Sequence, residues 1–293
     1  MPSAISKCQE LHDLIQARTA LPVPGVYDAF SARLVAQAGF RACQISGFGV
    51  AAAVLGLPDI GILSMRDQIN AVQSIAQAVE IPVMADGDTG FGNALNTYHT
   101  VRLMEAAGAA GINIEDQSFP KRCGHMDGKA VIPTEEMVQK VRAAVAARRD
   151  PHFVINARTD AIAIGGVDAA IERANAYMEA GATLIFVEAP QSLAEITSIV
   201  RQVHGPVSVS MTGAPGGKTP FVNLAELREL GLGRVSYPGV TLSSAGGAIR
   251  RALLALVGDG DLHAVEHELM PFAEMTSVVG LPAERAREQE FAR

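Results

Sequence analysis

Two carboxylates one residue apart in a glycine-rich turn, Asp86-Gly87-Asp88-Thr89-Gly90-Phe91-Gly92, are the densest candidate for chemistry in this 293-residue sequence. Alone, such a turn reads equally well as a structural Asx-type device or as a metal site. Asp59 and Glu115 tip that balance. Four carboxylates around one point repel one another unless they are protonated or neutralised by a cation, and oxygen ligands without a histidine suit Mg2+, or Mn2+, better than zinc. Asn156-Ala157-Arg158-Thr159-Asp160 places a guanidinium directly after an apolar run. It reads either as a rim ion pair or as a fork that grips a substrate carboxylate at two points. Ser46-Gly47-Phe48-Gly49 offers a hydroxyl and backbone amides to the same anion. In Lys121-Arg122-Cys123-Gly124-His125 a cysteine stands among cations. A lone cysteine is more often a small buried hydrophobe. Here Lys121, Arg122 and His125 would lower the thiol pKa from its reference of about 8.5 and make proton exchange feasible near neutrality.

These residues need a scaffold that gathers them. Eight short apolar segments recur, at 25–27, 42–45, 81–84, 111–114, 153–156, 183–187, 206–209 and 233–236, and helix-period stretches lie between them, such as 97–107, 134–148, 167–180, 193–203 and 224–230. Alternating strand and helix implies a parallel sheet. Eight units without a composition break favour an α/β fold of the closed (β/α)8 type, a TIM barrel, over an open doubly wound sheet. The barrel is expected to run from about 23 to 260 in a single domain spanning 1–293, with an N-terminal helical cap and a helical tail over about 262–293 whose apolar face packs on a barrel cap or a neighbouring subunit. Candidate polar residues then fall at the C-terminal ends of the strands: Ser46, Asp86 with Asp88, Glu115 with Asp116, Arg158 with Asp160, Glu188, Ser210 with Thr212, and Tyr237. In this fold those ends converge on one mouth, where active sites sit.

The bulk composition narrows the partners. A net charge of -7 with no basic run disfavours nucleic acid and anionic lipid. Apolar stretches such as 50–57 are short against the roughly 20 residues of a membrane helix, and the N-terminus lacks a basic-then-apolar signal pattern. Cys8, Cys43 and Cys123 are odd in number and without CxxC spacing, which fits free thiols in a reducing compartment and a cytoplasmic protein.

Taken in order, the Ser46-Gly47 turn, Asp86 to Gly92, Ile114-Glu115-Asp116-Gln117, Lys121 to His125, Ala157-Arg158-Thr159-Asp160, Val187-Glu188-Ala189-Pro190 and Gly216-Gly217-Lys218-Thr219-Pro220 resemble the isocitrate lyase and phosphoenolpyruvate mutase superfamily. The match runs from about Gly25 to Tyr237. The resemblance implies a barrel whose C-terminal helix is exchanged between subunits of a dimer-of-dimers homotetramer. It implies Mg2+ held by Asp86, with Asp59, Asp88 and Glu115 reaching it mainly through water. The cysteine loop marks the branch that cleaves carbon–carbon bonds, which includes 2-methylisocitrate lyase, 2,3-dimethylmalate lyase and oxaloacetate hydrolase. Cys123 would protonate the departing enolate-like acid, Arg158 and the turn of Ser46, Gly47 and Phe48 would hold the 2-oxoacid carboxylate, and Gly124, His125 and Glu188 would address the departing acid, with Ser210, Thr212 and Pro238 also lining the substrate site.

Departures from the family pattern bear on the substrate. Ser243 stands where 2-methylisocitrate lyases are expected to carry an Arg for a third carboxylate, and Ser210 where an Asn is usual. A substituted malate giving pyruvate or a related 2-oxoacid is therefore favoured over a tricarboxylate, with Lys218 and Arg234 as alternative cations for the missing Arg. Gln44 stands in place of a Tyr near the reacting oxygen, which leaves the acceptor of the hydroxyl proton open. Pro238 lies near the position of a Ser expected in oxaloacetate hydrolases, so hydrolysis is disfavoured. A phosphonate enzyme on the same scaffold and a non-catalytic carboxylate-binding barrel are the remaining alternatives.

Overall fold

The structure is a computed structural model that describes residues 5–124, 126–212 and 216–292. Eight parallel strands close into one barrel in sequence order: β1 (Leu21–Val26), β2 (Cys43–Ile45), β3 (Val83–Asp86), β4 (Gly111–Glu115), β5 (Val154–Thr159), β6 (Leu184–Val187), β7 (Val207–Ser210) and β8 (Arg234–Tyr237), with β8 pairing back onto β1. All eight expected strands are present. β1 begins at Leu21, earlier than the expected start near 23, because Leu21 pairs with Arg234 and needs that partner to close the sheet.

Helix α1 (Lys7–Gln16) precedes the barrel, and α2 (Ala29–Gln37), α3 (Gly47–Val50, continued by a π turn over Ala51–Leu55), α4 (Met65–Ala78), α5 (Ala94–Ala106), α6 (Thr134–Ala147), α7 (Ile162–Glu179), α8 (Leu193–Gln202), α9 (Leu224–Glu229) and α10 (Val240–Asp259) follow their strands. Several start where a side chain satisfies the free amides of the first turn: Asp28 and Ser31, Ser64 and Asp67, and Asn93 and Asn96 each form a reciprocal capping box. Helix α1 buries Cys8, Leu11 and Ile15 and ties itself to the strand N-terminal end, where Lys7 Nζ donates to the Val79 carbonyl at 2.7 Å and Ser6 Oγ to Asp150 at 2.7 Å. The cap therefore closes the bottom of the barrel and leaves the other end open.

Successive residues on a strand point to opposite sides, so every second residue faces the barrel interior. Those positions are markedly polar. Gln44 on β2, Asp86 on β3, Asn113 and Glu115 on β4, Asn156 and Arg158 on β5, Ser208 and Ser210 on β7, and Arg234 and Ser236 on β8 are inward residues, and the register places Glu115 beside Arg158, Asn113 beside Asn156, and Ser210 beside Ser236. Outward residues such as Ile112, Ile114, Ile155, Val209 and Val235 are buried under the helices and form the main apolar core.

At the bottom of this interior Arg234 is fully buried. Its Nε donates to Ser208 Oγ at 2.8 Å, its Nη1 lies 2.6 Å from the Met84 sulfur, and its guanidinium sits 5.8 Å from the Phe186 ring, while Nη2 has no hydrogen-bond partner among the described residues. Burial pushes its pKa down to about 9, with Asp86 as the one charge that opposes the shift. The side chain lies beneath the mouth and is spent on Ser208 and Met84, so it does not replace the missing arginine at the substrate.

Beyond the barrel lie a 3-10 turn (His263–Glu268), α11 (Phe272–Val278) and α12 (Leu281–Phe291). Val278 is buried, and Arg33 Nη1 donates to its carbonyl at 3.3 Å, so α11 touches α2; no residue of α12 is buried. The stretch Val240–Gly258 of α10 is long and apolar enough to cross a membrane by length and composition, contrary to the reading of short apolar runs. Its many Gly, Ser and Ala residues leave it only moderately apolar, and Arg250 and Arg251 lie near its middle, where a bilayer would cost about 2.5–3.5 kcal/mol for each. Helix α10 is the eighth barrel helix, and its Thr241 Oγ1 donates to the Gly25 carbonyl at 2.6 Å.

Replacing a buried, poorly paired charge by an apolar side chain of similar length is commonly neutral or stabilising by up to about 1–4 kcal/mol. Arg234→Met is therefore expected to hold or raise the midpoint of urea unfolding. A clear loss of stability would mean that the guanidinium has a partner worth more than the Ser208 bond.

Candidate active site

The open end of the barrel holds a cavity of about 280 Å³. Every described residue expected at the site lines it: Ser46, Gly47, Phe48, Asp59, Asp86, Asp88, Glu115, Cys123, Gly124, Arg158, Glu188, Ser210, Thr212 and Pro238. His125 lies outside the described residues. Gln44 and Ser243 also face the cavity, whereas Lys218 and Arg234 do not line it. Lys218 instead pairs with Asp127 at 2.6 Å, so neither proposed replacement for the missing arginine stands where a third carboxylate would be.

Four carboxylates meet on one wall. Asp86, at the end of β3, receives the Gly47 amide on Oδ2 at 3.0 Å and the Asp88 amide on Oδ1 at 3.2 Å. A Cβ on Gly47 would fall 2.5 Å from Asp86 Oδ2, so only glycine permits this approach. The Gly47 amide was expected to face the substrate and is instead committed to Asp86. Lys121 was expected to act on the cysteine thiol; its ammonium reaches the carboxylates, 2.5 Å from Asp59 Oδ1 and 2.8 Å from Asp88 Oδ1. Burial alone would pull the pKa of Lys121 down, but Asp88, Glu115 and Asp59 outweigh it and hold it well above the usual lysine range.

Even so, the wall is short of positive charge. Burial pushes Asp88 up to about 7 against the pull of Lys121, and pushes Glu115 well above the carboxylate range against Arg158 and Lys121. Glu115 Oε1 is buried with no hydrogen-bond partner among the described residues. No three His, Cys, Asp or Glu side chains among the described residues converge as direct ligands of one ion. The donor set thus fits a hard divalent cation that keeps much of its water, as Mg2+ does, and does not fit a fully protein-ligated one.

Arg158 lies on β5 beside Glu115 and forms the adjoining wall. Asp160 clasps it at two points, Oδ2 to Nε at 2.9 Å and Oδ1 to Nη2 at 3.0 Å, while Glu115 lies 3.4 Å from Nη1 and Glu188 3.4 Å from Nη2. The rim ion pair and the carboxylate-binding role are therefore compatible: Asp160 fixes the fork, whose plane lies 5.2 Å from the Phe186 ring. Asp160 is held in turn by Asp116, which accepts from the Asp160 amide at 2.9 Å, Thr159 Oγ1 at 2.7 Å, Tyr177 Oη at 2.8 Å and Arg173 Nη1 at 3.2 Å. Asp116 and Asp160 were seen in the sequence as neighbours of site residues; their function as buried supports was not, since Arg173 and Tyr177 are far away in sequence.

Cys123 lies on a hairpin between β4 and α6. The Gln117 side chain accepts from the Arg122 amide at 3.0 Å and donates to its carbonyl at 2.8 Å, and the Cys123 amide donates to the Asp59 carbonyl at 3.1 Å. The thiol is partly exposed to the cavity, while Cys8 and Cys43 are buried, and burial pushes both of those thiols up to about 12. Gly124 sits against the Arg158 and Glu188 pair so closely that a Cβ would lie 2.4 Å from the Glu188 carboxyl carbon and 2.5 Å from Arg158 Nη2. Asn113, Phe186 and Ser236 also line the cavity and escaped the sequence reading as site residues, although a polar residue at an alternate position within an apolar strand, as in Gly-Ile-Asn-Ile-Glu, was a signal for Asn113.

Comparison with known proteins agrees with this geometry. The phosphoenolpyruvate phosphomutase family model matches residues 11–257. A 2,3-dimethylmalate lyase of Eubacterium barkeri is 39% identical over 283 residues, covering 97% of each chain. A 2-methylisocitrate lyase of Shewanella oneidensis is 41% identical over 263 residues, covering 90% of this chain and 89% of the other. The crystal structure of a phosphonopyruvate hydrolase in complex with oxalate and Mg++ superposes with a TM-score of 0.88 at 33% identity, covering 99% of this chain and 100% of that one. With its cysteine hairpin, carboxylate wall and clasped arginine, the chain belongs to the phosphoenolpyruvate mutase and isocitrate lyase superfamily and is a carbon–carbon lyase of that superfamily.

Proposed function

We propose that the chain cleaves a substituted malate, such as 2,3-dimethylmalate, into a 2-oxoacid such as pyruvate and a monocarboxylate. The observation that carries this reading is the clasped guanidinium, Arg158, on a cavity that Cys123 also lines and whose polar positions include the hydroxyls of Ser210 and Ser243; Arg122, the other guanidinium on the lining, is turned to the Asp127 carbonyl at 3.1 Å. One side chain grips one carboxylate firmly, and a third carboxylate on the substrate would meet no matching fork. Leaving that charge buried and unpaired would cost several kcal/mol. This disfavours 2-methylisocitrate.

Arg158 and Ser46 orient the end of the substrate that becomes the 2-oxoacid. Gln44 is neutral, so its amide oxygen can accept a hydrogen bond from the substrate hydroxyl but cannot take the proton. Glu115 Oε1, buried without a donor, is the acceptor for that proton. The carbon–carbon bond then breaks, its electron pair passing to the carbon beside the departing carboxylate as a carbonyl forms at the former carbinol. Cys123 Sγ–H delivers a proton to that carbon, and Gly124 and Glu188 line the side from which the acid leaves. Bound at Asp86, with Asp59, Asp88 and Glu115 reaching it through water, Mg2+ or Mn2+ would supply Lewis-acid stabilisation of negative charge on the reacting oxygen.

An assembly of subunits is also supported. Ile249, Leu253, Leu254 and Val257 on α10, with Phe272 and Phe291 beyond it, are exposed apolar side chains on elements that hardly pack on their own barrel. A dimer-of-dimers homotetramer with exchanged C-terminal helices would cover them, and light scattering after size exclusion is expected to give four copies. Three cysteines with no disulfide among them fit a cytoplasmic location.

With Mg2+ present, 2-oxoacid release is expected from 2,3-dimethylmalate in preference to 2-methylisocitrate, citramalate and oxaloacetate. Preference for 2-methylisocitrate would refute the substrate argument, and silence on all four would favour a carboxylate-binding role. EDTA is expected to abolish turnover and added Mg2+ to restore it. Cys123→Ser is expected to lower kcat by about 10²–10⁴-fold, the usual contribution of a positioned proton donor, without loss of oxalate binding. Gly124→Ala, which drives a methyl into Arg158 and Glu188, is expected to lower kcat/KM by about 10²-fold.

A further inference from the structure

Lys129 takes no part in the reaction outlined above and does not line the cavity, yet its ammonium is buried between two elements of the site. Its side chain is 2% exposed. Nζ donates to the Gly124 carbonyl at 2.5 Å and to Asp160 Oδ1 at 2.8 Å. The first partner is the backbone group beside Cys123. The second is the carboxylate oxygen that also accepts from Arg158 Nη2. One ammonium therefore touches both the hairpin that carries the proton donor and the clasp that aims the substrate-binding fork.

We propose that Lys129 is a positioning residue that sets Cys123 in register with Arg158, so that the proton is delivered to a substrate already held by its carboxylate. This deepens the lyase reading and rests on it. Three features make the bridge more than a generic ion pair. Lys129 Nζ and Arg158 Nη2 donate to the same Asp160 oxygen, Oδ1, so the ammonium is coupled directly to the fork. The Gly124 carbonyl belongs to the residue directly after the thiol, and Gly124 itself is seated on Arg158 and Glu188 without room for a Cβ. Lys129 also lies on the returning arm of the same hairpin, whose two arms are joined by the Ser118 amide to the Ala130 carbonyl at 2.8 Å. Both arms are thus fastened to Asp160 through one side chain, and a tilt of the hairpin away from Arg158 must break a buried charged hydrogen bond. Misplacement of a reacting group by about 1 Å can cost about 10²-fold in rate, so a single such bond is enough to matter.

Lys129→Met keeps length and apolar packing and removes both bonds, whereas Lys129→Arg can restore them. The two variants and wild type are compared by three measurements: the rate at which iodoacetamide alkylates Cys123, followed by mass spectrometry; kcat and KM with Mg2+ and the preferred substrate; and the inhibition constant of oxalate. For Lys129→Met, alkylation is expected to quicken about tenfold and kcat to fall about 10²-fold while oxalate inhibition is retained, and Lys129→Arg should recover most of both losses. Unchanged alkylation and kcat in Lys129→Met would overturn the proposal. So would loss of oxalate affinity in proportion to kcat, because Lys129 would then serve Arg158 alone. If Lys129→Met does not fold, Lys129→Gln, neutral and still able to donate to Gly124, is read in the same way with a smaller expected shift. The alkylation rate needs no turnover, so an enzyme silent on every substrate would refute the lyase reading while leaving this test intact.

Discussion

A guanidinium removed from water needs partners to offset its lost hydration, and the placement of Arg158 at the mouth of the barrel governs much of what surrounds it. Stripping water from a charge costs several kcal/mol after relaxation, and the cost is met only when hydrogen bonds of good geometry replace the water. Asp160 supplies two of them, and Glu115 and Glu188 complete a ring of negative charge. Burial would pull the pKa of Arg158 down, but these three carboxylates hold it well above the usual range. Burial likewise pushes Asp160 upward, and Arg158 with Lys129 overcome it and keep the carboxylate ionised. The fork is thereby fixed before any substrate arrives, which is the condition for binding energy to be used in orientation and not in ordering the protein.

The same electrostatic problem recurs one layer back. Asp116 is buried, and burial raises its pKa, yet four donors from two separate segments converge on it: Asp160 and Thr159 from the end of β5, and Tyr177 and Arg173 from α7. Helix α7 thus holds the support of the arginine clasp at the same time as it covers the barrel. On the adjoining wall the imbalance has the other sign. Lys121 is the only ammonium among the described residues placed within 4 Å of Asp59 and Asp88, and it leaves Glu115 and Asp88 with raised pKa values. The carboxylate cluster and the Arg158 clasp are neighbours in the sheet and meet at Glu115, which lies 3.4 Å from Arg158 Nη1.

Much of this was legible in the residues. Strand positions followed from short apolar runs, and the residues that line the cavity could be anticipated because the ends of parallel strands in a closed barrel must meet. Fourteen scattered signals, from Ser46 to Pro238, could be assigned to one mouth without knowing a single contact. Lys218 and Arg234 were misplaced as possible partners of a third carboxylate for a clear reason. A cation near the end of a strand or in a neighbouring loop has the right type, but which way it points depends on strand parity and on competing partners. Arg234 is two residues before Ser236 and therefore on the same inward face, one layer lower, against Met84 and Ser208. The Gly47 amide was misassigned for the same reason, since its partner Asp86 lies on another strand.

What the sequence by itself determined was the fold class, the set of groups available to the reaction and the side of the barrel on which they meet, because periodicity, chain order and residue chemistry are properties of a linear string. The tertiary structure decided the pairings: Lys121 with Asp59 and Asp88, Arg158 with Asp160, Asp116 with Tyr177 and Arg173, and Lys129 with Gly124. Each of these is a choice of one partner among several of suitable charge, made by distances of a few ångströms between strands and loops. Such choices depend on packing in three dimensions, and no spacing along the chain encodes them.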